Sequence, residues 1–273
     1  VQLPFRSDVT FEEVQFAAVA RLDDLNVRDL FGDYDVSNGQ MRLTLDENNM
    51  EVGGSIAVEG MPAEVKWIEN FSPQAPFQSR YDISAVLDQQ ARETFGVNVA
   101  PFASGPFDMN FTYTVSPDGA QHIAAALGAE DALIEIPELF WEKPIGERAS
   151  ILVLARLEDH KNVEVTNFEL NSMDLRVKGR AEIGPQHGNL ISAELSSVQL
   201  GDNDVTVSYK RDADDNIVLD VGGKSLDLRP YIKQLRDTDQ DNLPPFILEA
   251  NVERLITRAD QQITDARARA VNT

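Results

Sequence analysis

Asp237, Asp239 and Asp241 stand at the alternate spacing that opens a calcium loop. Such a loop also needs a glycine at its sixth position and a bidentate glutamate at its twelfth. Here the sixth position is Asn242, Pro244 and Pro245 follow, and Glu249 falls one place late. The run therefore reads as a solvated acidic linker, with a partial calcium site as the alternative. His122, His160 and His187 are scattered, and none has a second histidine at metal-ligand spacing. The chain has no cysteine, which removes thiol catalysis, disulfides and thiolate metal sites together. No nucleophile elbow, phosphate-binding loop or dinucleotide fingerprint is present. The 46 acidic residues supply carboxylate pairs by abundance, and a glycosidase cleft needs only two of them. Carboxylates spread over turns read as a solvated face instead. Lys143-Pro144-Ile145-Gly146 reads as a turn with a packed lysine stem. Asn70-Phe71-Ser72 and Asn110-Phe111-Thr112 match the glycosylation sequon, a pattern common by chance. These readings lead to a protein that is not an enzyme and has neither cofactor nor resident metal.

The net charge of −22, from 46 acidic against 24 basic residues, repels phosphate backbones and argues against nucleic-acid binding. Hydrophobic residues make up 42% and charged residues 26%, the balance of a folded chain. No apolar run approaches the ~20 residues that cross a bilayer as a helix. The opening at Val1 instead of Met, with no secretory leader, suggests a segment of a longer protein.

Period-two alternation dominates the chain and is the signature of strands. Met41, Leu43 and Leu45 alternate with polar residues, and Met50, Val52, Ile56 and Val58 do so after the polar turn Asp46–Asn49. Ala63, Val65 and Trp67 continue it. Similar runs recur near 81–87, 107–115, 133–136, 151–157, 163–170, 175–183, 190–198, 205–209 and 217–221. Short turns rich in Gly, Asn, Asp and Pro separate many of them, which predicts antiparallel neighbours in a meander. The expected fold is all-β: about a dozen antiparallel strands in an elongated, curved, groove-like sheet with one or two short helices. Residues 1–273 read as one continuous repetitive segment, with a subdivision near 116–132. Helices are expected at 88–96, behind an Asp88 cap, and at 228–236. Residues 246–271 fit an amphipathic helix, but also two alternating strands around a turn near 258–261; the strand pair continues the hairpin rhythm.

Two stretches carry a resemblance. Asn49-Met50-Glu51-Val52-Gly53-Gly54 followed by Glu59–Phe71, with Gly60-Met61-Pro62-Ala63 and Trp67, resembles a passage of the large AsmA-like and YhdP-like periplasmic proteins. Asp131–Pro137 leading to Trp141-Glu142-Lys143-Pro144-Ile145-Gly146 resembles a second passage of the same family, as do Leu200–Val205 and Ser225–Pro230. The family pattern has a small residue where this chain has Phe140. The resemblance implies a long apolar groove that carries phospholipid between inner and outer membranes. It also implies a periplasmic setting, an anchor in the inner membrane outside this segment, and membrane-protein partners at either end.

On that reading the groove lining is drawn from the alternating positions: Leu43, Val52, Ile56, Val65, Ile83, Phe111, Ile134, Leu154, Val165, Val177, Leu195 and Val207. Trp67 and Trp141 either line the groove or pack within a core. A one-residue change of phase would turn every side chain to the other face, so the inward face stays open at this point. The rival reading is a structural or interaction module of closed β-sandwiches with no lipid ligand. An acyl-chain groove leaves a long uncovered apolar patch, and a sandwich leaves none.

Overall fold

The computed structural model describes residues 16–31, 33–97, 99, 102–157, 162–184, 190–212, 216–232, 245–258 and 261–272. The protein is all-β, an open and almost wholly antiparallel arrangement of many strands with two short helices. Two compact units divide it, Val1–Ile134 with Pro144–Gly146, and Glu135–Lys143 with Glu147–Thr273.

In the first unit the strands are β1 (Ala17–Phe31), β2 (Tyr34–Asp46), β3 (Asn49–Val58), β4 (Met61–Asn70), β5 (Ser79–Leu87), β6 (Ala103–Ser104), β7 (Phe107–Val115) and β8 (Gln121–Gly128). Five of these, β1 to β5, pair in sequence order; β7 then joins β5 and β8 joins β7, all antiparallel. The turns explain the order. The Asp46 carboxylate accepts hydrogen bonds from the backbone N–H groups of Asn48 and Asn49 at 2.8 and 2.9 Å, which closes β2 onto β3. Glu59 and Gly60 both take positive φ, 49° and 82°, as a two-residue hairpin demands. Helix α1 (Gln89–Thr94) sits between β5 and β6, and its Ala91 N–H is capped by the Asp88 carboxylate at 2.8 Å. Behind it, the buried Arg92 donates to the carbonyls of Leu87 (3.2 Å) and Gly105 (2.6 Å) and lies over the Phe107 ring.

Strand β9 (Leu133–Ile136) pairs with β6, Ala103 opposite Ile134, and is followed by a 3-10 turn and β10 (Trp141–Lys143). The second unit continues with β11 (Ser150–Leu157), β12 (Val163–Asn171), β13 (Leu175–Ile183), β14 (Leu190–Leu200), β15 (Asn203–Arg211), β16 (Ile217–Asp227), β17 (Phe246–Arg258) and β18 (Gln261–Asn272). From β11 to β16 the order is again an antiparallel meander. Between β16 and β17 the pairing is parallel, and β18 returns antiparallel.

Two features differ from the sequence reading. Among the described residues eighteen strands are present, where the sequence reading has about a dozen. β8 carries the run Ala124-Ala125-Ala126, which hides its alternation, and β1 holds irregularities in register at Asp23/Leu25 and Leu25/Val27 that break its period. The meander is interrupted by one parallel pair, because a long connection between β16 and β17 replaces a hairpin turn. The C-terminal stretch is a strand pair, as the hairpin rhythm indicated. Of the expected helix at 228–236, residues 229–232 are helical. Its remainder, the Asp237–Asp241 run, His160 and His187 lie outside the described residues. Among the described residues, no helix is long and apolar enough to cross a membrane, and no group of three metal-ligating side chains is brought together.

Candidate functional site

Residues directly opposite each other in an antiparallel ladder share a face. In the first unit this rule links Leu43, Val52, Trp67, Tyr81, Tyr113 and Ile123 in one row across the strands. The next row is Met41, Gly54, Val65, Ile83, Phe111 and Ala125, and the third is Ile56, Ala63, Ala85, Met109 and Leu127. Three successive rows are thus apolar apart from their tyrosine hydroxyls and the Trp67 N–H. The other face alternates charges and hydroxyls: Arg42, Lys66, Asp82 and Thr112 in one row, Glu51, Arg80 and Thr114 in the next. Lys66 pairs with Glu51 at 3.1 Å and Arg80 with Asp82 at 2.9 Å. Burial pulls the Asp82 carboxyl upward, but hydrogen bonds from Arg80 and Thr112 outweigh it and hold the group below its ordinary value.

The apolar cluster of this unit is built on Val36, Met41, Val52, Ile56, Val58, Ala63 and Val65. Its further members come from β1 to β5, together with Phe95 just after α1. Among the described residues, no second sheet contributes to it. Phe95, just after α1, meets Tyr34 edge to face at 5.1 Å. The face also carries an aromatic row: Trp67 stacks on Tyr81 at 5.5 Å and Tyr81 lies 6.0 Å from Tyr113. Trp67 Nε1 donates to Glu69 at 3.3 Å and the Tyr113 hydroxyl donates to Gln121 at 2.8 Å. Burial and the neighbouring Glu69 charge push the Tyr81 phenol up.

Glycine stands on the apolar face where the ladder changes register. Gly54 has φ 149°, and a Cβ there would run into the Gln40 carbonyl, next to the register irregularity between Ser37 and Gln40. Gly223 has φ 137° and meets the Asp204 carbonyl in the same way, beside the irregularity at Asp204/Val205.

The second unit is two-faced as well. Val165 opposes Ala181, Val177 opposes both Leu170 and Val198, and Leu195 opposes Val207, which opposes Val221. Four expected lining residues, Val165, Val177, Leu195 and Val207, therefore share one apolar face. Leu154 does not: it opposes Asn167, between Arg156 and Leu152, whose partners are Glu164 and Glu169. It is 37% exposed on the polar face. The phase of β11 misled because Leu152 and Leu154 alternate as regularly as Ile151, Val153 and Ala155 do; the irregularity at Leu154/Ala155 is invisible in sequence.

Two more expected positions stand apart. Ile134 is buried on β9, which pairs with β6 and not with the seven-strand meander of the first unit. Trp141 is only 5% exposed, and its Nε1 donates to Asp174 at 2.8 Å in the β12–β13 turn. It is a packed anchor of that turn, which Ser172 also braces through Asp174 and the Leu175 N–H. The remaining candidates, Leu43, Val52, Ile56, Val65, Trp67, Ile83 and Phe111, all lie on the apolar face of the first unit. Met41, Tyr81 and Tyr113 belong there too; the i, i+2 spacing of Tyr81 with Ile83 and of Phe111 with Tyr113 was their signal.

A cavity of about 1190 Å³ opens on the polar face of the second unit. Four basic side chains line it, Lys178, Arg180, Arg267 and Arg269, beside three acidic ones, Glu194, Asp220 and Glu249. Arg180 pairs with Glu194 at 2.5 Å and Arg269 with Glu249 at 3.3 Å. With no aromatic ring and paired charges it is a hydrated concavity, unsuited to acyl chains.

No family model, no curated protein and no solved structure matches this chain.

Proposed function

We propose that the apolar sheet face shields the acyl chains of phospholipid, and that the chain is a non-catalytic segment of an AsmA/YhdP-like periplasmic protein moving lipid between membranes. The observation that carries this reading is the set of three consecutive apolar rows in the first unit, whose cluster, among the described residues, draws on a single sheet. A closed sandwich would supply a second layer, so the structural-module reading is the weaker one. Acyl-chain binding needs little else. Each methylene withdrawn from water contributes ~0.8 kcal/mol, so about 15 of them are worth ~12 kcal/mol before the cost of ordering. No polar clamp is required, which agrees with a face devoid of paired charges. The acidic surface and the polar opposite face keep such a segment hydrated on its other side.

Uptake of a fluorescent phospholipid by the purified protein tests the reading. Phe111→Glu sets a carboxylate among the apolar rows and is expected to lower uptake at least about tenfold. Leu154→Glu, on the polar face, is expected to leave it unchanged. Equal uptake by the native protein and Phe111→Glu, with both folded by circular dichroism, would overturn the proposal.

A further inference from the structure

The aromatic row divides the apolar face of the first unit into two zones of different chemistry. On one side lie the rows through Val65, Ile83 and Phe111, and through Ile56 and Met109. On the other side the next row is mixed: Leu45 and Met50 lead to Glu69, Ser79, Val115 and Gln121, and its polar members stand beside the aromatic rings. Rings with an apolar body and a polar tip belong at such a boundary, where one end is dry and the other wet. Trp67 and Tyr113 turn their polar tips toward this outer row, to Glu69 and Gln121. Glu69 also accepts from the Ser79 hydroxyl at 2.6 Å, which fixes its carboxylate on this face.

The charge of the outer zone has one sign. Glu69 is the charged side chain beside the aromatic row. The segments that build this end, residues 43–50, 67–79 and 113–122, contain no lysine or arginine. Lys66 and Arg80 project from the opposite face, where Glu51 and Asp82 hold them. A lipid lying with its chains over Ile83 and Phe111 sets its headgroup against Glu69.

Building on the acyl-chain reading above, we infer that this face selects phospholipids whose headgroup carries an ammonium group over those whose headgroup is anionic. The ammonium meets the Glu69 carboxylate across a partly buried, aromatic-walled edge. An anionic headgroup meets the same carboxylate, with no lysine or arginine in residues 43–50, 67–79 and 113–122 to offset it. One partly screened charge pair is worth roughly a fivefold preference.

The test is native mass spectrometry of the full chain after incubation with equimolar phosphatidylethanolamine and phosphatidylglycerol of identical acyl chains. The expected result is about fivefold enrichment of the ethanolamine lipid, shrinking as ionic strength rises. Glu69→Gln, nearly isosteric, is expected to abolish the enrichment while total bound lipid stays the same. Bound lipid with no headgroup preference, or a preference that Glu69→Gln leaves intact, overturns the headgroup inference and leaves the acyl-chain reading standing. Absence of either lipid overturns both.

Discussion

Val65 and Val86 offer the same substitution on opposite faces of one sheet. Val65 is 7% exposed, among Ile56, Ala63 and Ile83 in the apolar cluster, whereas Val86 is 52% exposed and opposes Asp108. Val65→Ala removes two buried methyl groups, ~1.6 kcal/mol at ~0.8 kcal/mol each. A residual cavity adds several tenths, for a total of about 2 kcal/mol. Val86→Ala removes groups already half in water and opens no cavity, so its cost is about 0.5 kcal/mol, partly from lost strand propensity. Both positions lie in the first unit, so one unfolding transition reports both. With a urea slope of about 2 kcal/mol/M, the midpoint falls by about 1 M for Val65→Ala and about 0.25 M for Val86→Ala. Equal shifts, or a larger one for Val86→Ala, would refute the assignment of faces on which the functional reading stands.

Gly54→Ala is expected to destabilise the first unit by about 2 kcal/mol or more, because φ 149° disfavours a side chain and the Cβ would strike the Gln40 carbonyl; urea melts check it. In the second unit, hydrogen bonds from Arg229 hold the Asp227 carboxyl below its ordinary value. The native state thus binds this proton less tightly than the unfolded chain. The stabilisation is complete above about pH 4, the unfolded carboxyl range, and is lost as pH falls through the lower folded value. Arg229→Gln should therefore lower the urea midpoint at pH 7 and lower it by less at pH 2. A difference of the same size at both pH values would show that the pair contributes nothing through this linkage. Arg92→Met removes donors to the Leu87 and Gly105 carbonyls and should cost about 2 kcal/mol, read as a lower melting temperature.

Alternation made the fold class and most of one face legible. Leu43, Val52, Ile56, Val65, Trp67, Ile83 and Phe111 could be named as alternating positions because the strands keep period two near them, and the short turns after β2 and β3 tie the first of them together. Where both phases of a strand are apolar the same reasoning slipped, as at Leu154 in β11, which shares its face with Arg156. Partnership outside the local ladder was also hidden. The bond between Trp141 and Asp174 joins residues 33 positions apart, and nothing in either segment announces it. The parallel step from β16 to β17 was beyond reach for a related reason: each strand shows its own period, but not the direction in which it is laid beside its neighbour. The aromatic row needed register as well as period, since Tyr81 and Tyr113 become neighbours only once β5 and β7 pair across α1 and β6.

The most direct test of lipid shielding is extraction of the native protein, purified without added lipid from cells of matching envelope type, followed by mass spectrometry of what the solvent removes. The account predicts phospholipid in near-stoichiometric amount, lost in Phe111→Glu and retained in Leu154→Glu. A folded native protein that yields no phospholipid, and takes none up from vesicles, would contradict it and leave the closed structural module as the surviving reading.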